Sequence, residues 1–381
     1  MSTGKGFKSL TRVNQAVEGF LKTINPFEEK EHAHLRDSLF RVASEEIQSP
    51  RHLPHYRRAA MDGYAVNARQ TNGASPSSPV RVEIDDTDSA HSVAPVSTGD
   101  PLPPESDAVI KIEDCEVRGS DLYLQRNITP FTNVGEVGED IKKNQTILHL
   151  NQMIGPDHLG LARSVGVEKI PVWKKPRVAV IPTGEELIEP GQQPGPGQVI
   201  DSNNIMLRHL VEYWGGNPEI HPLYTDEPEK ISDALSKVRN CELILFVGGS
   251  SVGDRDHVVE VVRENGTVLT HGVAMHPGKP VATAIVRGVP VLCLPGYPVA
   301  TMVDAMYFAK PAIRKLAHLP EMKHHTKQAP LTSKIESKLG ERSIVRARLE
   351  QDRITPTRSK GAGVLSSITR SSGYIEIPED I

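Results

Sequence analysis

The chain has 381 residues, enough for several cores, with 44 Lys+Arg against 48 Asp+Glu and a formal net charge of −4. That balance argues against nucleic acid as the principal partner. No stretch approaches the roughly 20 apolar residues of a membrane-spanning helix, and "MSTGKGFKSLTRV" has no apolar leader.

Cys115, Cys241 and Cys293 stand far apart in no Cys-x-x-Cys pair, the pattern of buried thiols in a reducing compartment. A cytoplasmic protein acting on small molecules is the expectation. In chain order, Val13, Val17, Phe20, Leu21 and Ile24 recur at helical spacing, and Asn25-Pro26 ends that helix. Leu35, Leu39 and Val42 predict a second one. Over 49–140, β-branched runs are cut by Pro, Gly and Asp/Ser clusters, and strands at 80–84, 108–113 and 121–125 predict a small β domain. A helical piece at 156–165 is expected to rejoin the N-terminal helices, so that 1–48 and 141–175 form one helical linker domain.

Residues 176–322 repeat strand, glycine loop and helix three times. "RVAVI" (177–181) runs into Pro182-Thr183-Gly184, "ELILFV" (242–247) into Gly248-Gly249-Ser250-Ser251, and "VPVLCL" (289–294) into Pro295-Gly296. Asp201 or Ser202 caps the helix that begins near 203. This is the pattern of an open three-layer α/β domain with parallel strands, which binds ligands beyond the carboxyl ends of its strands. Alternation at 343–349 and 373–377 predicts a β-barrel-like C-terminal domain over 323–381. The fold class is multi-domain, α/β plus β.

"GGSSVGDRDH" (248–257) puts small residues and carboxylates together where a buried strand ends. Gly248, Gly249 and Gly253 permit close backbone approach to an anion, and Ser250 and Ser251 can donate hydroxyls. Asp254 and Asp256 either cap the next helix or bind a cation. "MHPGKP" (275–280) fixes Lys279 behind Pro277-Gly278, and "PTGEEL" (182–187) adds Glu185 and Glu186. His271 and His276 read as loop histidines rather than a metal pair. Upstream, Asp62-Gly63 in "MDGYAV" reads by itself as a hairpin turn, while Thr98, Asp100, Glu139 and Asp140 occupy glycine turns without local reason. Two like charges ~4 Å apart repel by about 4 kcal/mol at an effective dielectric of ~20. Carboxylates facing a phosphorylated ligand therefore call for Mg²⁺ between them, with Lys279 and backbone amides taking the remaining charge.

"MDGYAV", "STGDPLP", "GEDI", "PTGEEL", "DSNNIML", "GGSSVGDRDH", "MHPGKP" and "LPGYPVA" also fall in one family's order and spacing. Over residues 10–378 the chain closely resembles the molybdopterin molybdotransferases. The resemblance implies an elongated four-domain homodimer that binds adenylylated molybdopterin and molybdate. Cleavage of the phosphoanhydride with Mg²⁺ would release AMP and molybdenum cofactor. It implies catalytic roles for Asp62, Thr98, Asp140, Glu186, Asp256 and Lys279, with Glu186, Asp254 and Asp256 at the metal. It further implies substrate contacts from the Gly248–Gly253 loop, His276, Gly278, Pro295, Gly296, Arg346 and Ser366.

Tyr297 and Ala300 stand where the family usually has Asn and Ser, His276 where a basic residue is common, and Gly135 where an arginine is frequent. These departures leave tungstate open as the oxyanion. Two other functions compete: molybdopterin adenylyltransfer, which uses a related α/β domain but consumes ATP, and a non-catalytic dimeric scaffold. The pathway's adenylyltransferase is also a possible protein partner. The acidic motifs fall into two blocks, 62–140 and 186–279, separated by chain expected to return to the N-terminal helices. A site assembled from both chains of a two-fold dimer is the resulting expectation.

Overall fold

The structure, a computed structural model, describes residues 7, 9–84, 92–248, 256–323, 325–357 and 361–381. The chain forms two compact units, one of Met1–Glu31, Phe40–Val42 and Val172–Ile381, the other of His32–Leu39 and Ala43–Pro171.

The smaller unit is built on a six-stranded sheet in the order Ala108–Lys111, Gly63–Val66, Ser92–Val96, Val80–Ile84, Asp121–Leu124, Cys115–Arg118. The three strands predicted here are present. The Asp62-Gly63 turn is not. Gly63–Val66 is a buried strand antiparallel to both of its neighbours. A Cβ on Gly63 would collide with the Ile110 carbonyl, so glycine marks a close strand approach rather than a turn. Alternate side chains supply the two faces: Tyr64 and Val66 join Ile110, Leu122 and Leu124, while Ala65 joins Ala59, Val96 and Val109.

The second N-terminal helix is also absent. Lys30–His34 is extended and Leu35–Asp37 is a single 3₁₀ turn. Leu39 and Phe40 are 42% and 59% exposed, and Phe40 has a φ of 58°, so the helical spacing there never formed one apolar face. The helix at Pro156–Ser164 forms as expected, with proline in its first turn, where no N–H partner is needed.

The larger unit carries a six-stranded sheet in the order Asn217–Ile220, Arg177–Pro182, Leu243–Val247, Val289–Leu294, Ala282–Val286, Gly266–His271. The first four strands are parallel. The last two run antiparallel, so the sheet is mixed rather than parallel throughout. Val178, Val180, Leu243 and Leu245 face one core, with Leu207, Val211 and Phe308. Ala179, Ile181, Ile244 and Phe246 face the other, with Ile231, Val258 and Val262. Helices thus cover both faces, as expected of three layers.

Val13, Ala16 and Phe20, from the helix Val13–Leu21, also lie in the first core. The N-terminal helix therefore belongs to the α/β unit, not to a domain shared with 141–175. The long C-terminal helix of the α/β section, Pro298 to Leu316, loosens at Ala305–Ala309, where the Lys310 N–H donates to Ala305 O five residues back. Pro311 next to it cannot donate, and the wide turn accommodates its ring.

Met275–His276 runs parallel to Arg342–Glu350, which pairs with Arg353–Pro356 and Gly373–Ile377. Among the described residues this is a four-stranded sheet, in the section for which a β-barrel-like domain is expected. No described helix is long and apolar enough to cross a membrane.

Candidate active site

In the smaller unit three motifs meet around Arg58–Ala59. The Ala59 N–H donates to Asp100 O (2.9 Å), and the Gly99 N–H to Ala59 O (2.8 Å). On its other side Arg58 and Ala59 pair with Gly135 and Val134, which lead into "GEDI". Asp62, at the entrance to the buried strand, accepts both the Thr98 N–H (2.7 Å) and the Thr98 hydroxyl (2.9 Å). These bonds, the backbone one first, hold the Asp62 carboxyl below the usual aspartate range. Asp140 is exposed, its N–H bonded to Leu53 O at 3.1 Å. The absence of an arginine at Gly135 acquires a reason. A Cβ there would lie 3.0 Å from Arg58 Cγ, and Arg58 pairs with Glu139 at 2.7 Å. The guanidinium at this turn comes from the neighbouring strand instead.

In the larger unit the strand ends stack. The Thr183 N–H donates to Val247 O (2.9 Å), and the Gly248 N–H to Leu294 O (3.1 Å). Gly248 has a φ of 109°, and a Cβ on it would collide with Thr183 O. Gly296 comes close enough for a Cβ to lie 3.6 Å from Gly248 Cα. The Asn203 amide holds the Gly296 carbonyl at 2.7 Å, and Asp201, rather than Ser202, caps that helix through the N–H groups of Asn203 and Asn204. The Thr301 hydroxyl donates to the Pro295 carbonyl. Gly249, Ser250, Ser251, Gly253 and Asp254 lie outside the described residues.

Asp256 uses both of its carboxylate oxygens. Its Oδ1 accepts the Val259 N–H (3.2 Å), capping the helix His257–Asn265, and its Oδ2 lies 3.1 Å from His271 Nε2. His271 ends the antiparallel edge strand that sequence reading missed, so its pairing was invisible there. Glu186 is exposed beside Gly184. Near it lies Asp226, which carries no sequence signal because Asp-Glu-Pro reads as an ordinary helix start. Burial raises the Asp226 carboxyl, and the charges of Glu186 and Glu185 raise it further. Among the described residues no three His, Cys, Asp or Glu side chains form a ready metal cage. Mg²⁺ does not require one, since it keeps waters and binds through one or two carboxylates plus substrate oxygens.

His276 and Arg346 come together on a cleft of about 650 Å³ that the C-terminal sheet shares with the "MHPGKP" turn. Burial pulls the Arg346 guanidinium below its ordinary range. Ser366 lines a neighbouring cavity of about 340 Å³ with Arg348 and Arg370, and Pro356 and Thr357 border both spaces. Gly278, with a φ of 114°, lies against the fully buried Asp304 carboxyl, where any Cβ would collide. Lys279 Nζ donates to Glu341 Oε1 at 2.7 Å. No sequence signal singles out Glu341. The structure therefore joins Asp62 to Thr98, stacks Gly248 with Gly296, and gathers His276 with Arg346.

Three family descriptions match the chain in succession: "MoeA N-terminal region (domain I and II)" over residues 11–166, "Probable molybdopterin binding domain" over 179–315, and "MoeA C-terminal region (domain IV)" over 328–381. A molybdopterin molybdenumtransferase 2 of Mycobacterium tuberculosis is 31% identical over 371 residues, covering 89% of this chain and 89% of its own. The molybdopterin molybdenumtransferase of Bacillus subtilis is 32% identical over 305 residues, covering 75% of this chain and 70% of its own. A crystal structure of a molybdopterin biosynthesis MoeA protein from Pyrococcus horikoshii superposes with a TM-score of 0.83 at 31% identity, covering 98% of this chain and 95% of that one.

Proposed function

This chain belongs to the MoeA family of molybdopterin molybdenumtransferases, and from that premise we propose how its residues insert the metal during molybdenum-cofactor synthesis. The substrate is adenylylated molybdopterin, the co-substrate molybdate, and the products AMP and molybdenum cofactor, formed in the cytoplasm. The observation that carries the reading is the stack of Gly248 and Gly296 at the strand ends, with Gly248 close to Thr183 and the Glu186–Asp226 carboxylates beside Thr183. It offers a phosphoanhydride close backbone approach and acids for a cation at one place.

Glu186, Asp256 and Asp254 would hold Mg²⁺. Asp226 fits the same group, because a carboxyl raised by burial and by neighbouring carboxylates is relieved by a divalent cation. Mg²⁺, when bound, neutralises phosphate oxygens and stabilises charge developing toward AMP. Gly248, Pro295 and Gly296 receive the pterin and its phosphates, and Gly249, Ser250, Ser251 and Gly253 are assigned to the same ligand by sequence. Lys279 meets a tetrahedral anion. His276 and Arg346, with Gly278 shaping the turn and Ser366 close by, receive the oxyanion. The dithiolene sulfurs belong to the substrate, so the protein need only orient them against the metal oxyanion. Asp62 and Asp140 act from the other acidic block, with Thr98 keeping Asp62 ionised and aimed. The active species is a homodimer in which each site draws on both chains.

The test supplies adenylylated molybdopterin, Mg²⁺ and either molybdate or tungstate, and follows AMP release and cofactor formation. AMP release coupled to cofactor formation without ATP is expected. A requirement for ATP would instead indicate adenylyltransfer, and the preferred oxyanion identifies the metal.

A further inference from the structure

Lys279 follows the Pro277-Gly278 turn, yet its ammonium is directed at a carboxylate of the C-terminal section. Pairing of Met275 and His276 with Arg342 and Ser343 fixes this neighbourhood, and the Arg342 N–H donates to Ala274 O at 2.8 Å. Glu341, one residue earlier, is thereby held against the turn, only 5% exposed. Lys338 reaches the same Oε1 from the local turn closed by the Glu341 N–H on Lys338 O (3.1 Å). Burial pushes the Glu341 carboxyl up, but the bonds and charges of Lys279 and Lys338 outweigh it and leave it below the usual range. Two ammonium groups thus share one buried carboxylate oxygen, an arrangement with one positive charge to spare.

The side-chain exposures differ sharply: 29% for Lys279, 71% for Lys338 and 7% for Glu341. A buried carboxylate stripped of every counter-ion would be costly. With Lys338 in place, Lys279 can leave without stranding it. We propose that Glu341 is a positioning residue for Lys279. It holds the ammonium until a tetrahedral oxyanion takes it over, while Lys338 remains as the counter-ion of the carboxylate. The inference rests on the reading of Lys279 as an anion ligand. The shared chemistry, a tetrahedral oxyanion, could be the phosphate of the nucleotide or the metal oxyanion.

Titration calorimetry of the full chain with AMP, and separately with molybdate, tests the hand-over. Glu341→Gln frees Lys279 and is expected to tighten binding of the responding anion by about tenfold. Lys338→Met is expected to weaken it by about threefold, since the departing lysine would then strand the carboxylate. In the double variant the effect of Lys338→Met should vanish, which simple loss of surface charge would not produce. Glu341→Asp keeps the charge and should bind within about twofold of the parent. Whichever titrant responds identifies the anion that Lys279 takes. Equal or weaker binding of both titrants by a folded Glu341→Gln protein overturns the hand-over while leaving Lys279 in the site. Should that variant not fold, unchanged binding by Lys338→Met overturns it instead. Unchanged affinity for both titrants in Lys279→Met overturns the hand-over and the reading of Lys279 together.

Discussion

Asp256 divides its two oxygens between a helix cap and a histidine, so structural and chemical roles must be separated by the choice of substitution. Asparagine still caps a helix, and Asp256→Asn is expected to lose no more than about 1 kcal/mol of stability. Its turnover should fall by orders of magnitude if the charge holds a cation. Urea denaturation alongside AMP release measures both, and a folded, fully active variant would make Asp256 purely structural. Asp226 predicts a pH dependence. Its carboxyl is raised in the folded chain, first by burial and then by Glu186 and Glu185, so folding disfavours the ionised form. The penalty is absent below the unfolded carboxyl's pKa of about 3.9 and grows as pH rises toward the folded one. Asp226→Asn should therefore be more stable than the parent at pH 7 in EDTA, the advantage fading below about pH 4. Added Mg²⁺ should narrow the gap by stabilising the parent. Equal stability at pH 7 would count against carboxylate crowding.

At the scale of elements, glycines separate close approach from mere permissiveness. Gly63 begins a strand paired on both sides, second from the edge of a six-stranded sheet, where a Cβ would strike the Ile110 carbonyl. Gly63→Ala is expected to cost about 1–3 kcal/mol or more, because the neighbouring backbone must move. Gly19, in the helix Val13–Leu21, would place a Cβ in open space, with nothing within 4 Å. Gly19→Ala should gain about 0.5–1 kcal/mol. Thermal denaturation of the pair checks the contrast, and equal shifts in one direction would refute it. Sequence pattern cannot distinguish these two glycines. The discriminating atom on Ile110 is 47 positions from Gly63 and reaches it only through strand pairing.

For the whole molecule, the proposal of sites shared between two chains makes a quantitative prediction. Asp62→Asn and Lys279→Ala should each be inactive alone. Mixed and reassembled, they should recover up to roughly a quarter of the parent activity, since about half the dimers would be heterodimers with one intact site. No recovery from demonstrated heterodimers would confine each site to one chain. The amino-acid sequence alone determined the strand-loop-helix units, the strands of the small β domain and the motif order that marks the family. Those signals are local, arising from side-chain periodicity, glycine loops and caps that neighbouring residues satisfy. The tertiary structure alone decided that Gly63 opens a core strand, that the α/β sheet ends in two antiparallel strands, and that Val13–Leu21 packs on that sheet. It also decided the partners of the charged groups: His271 for Asp256, Arg58 for Glu139 and Glu341 for Lys279. In each case the deciding contact joins segments whose local patterns are indifferent to one another. Burial and strand pairing, rather than propensity, select it.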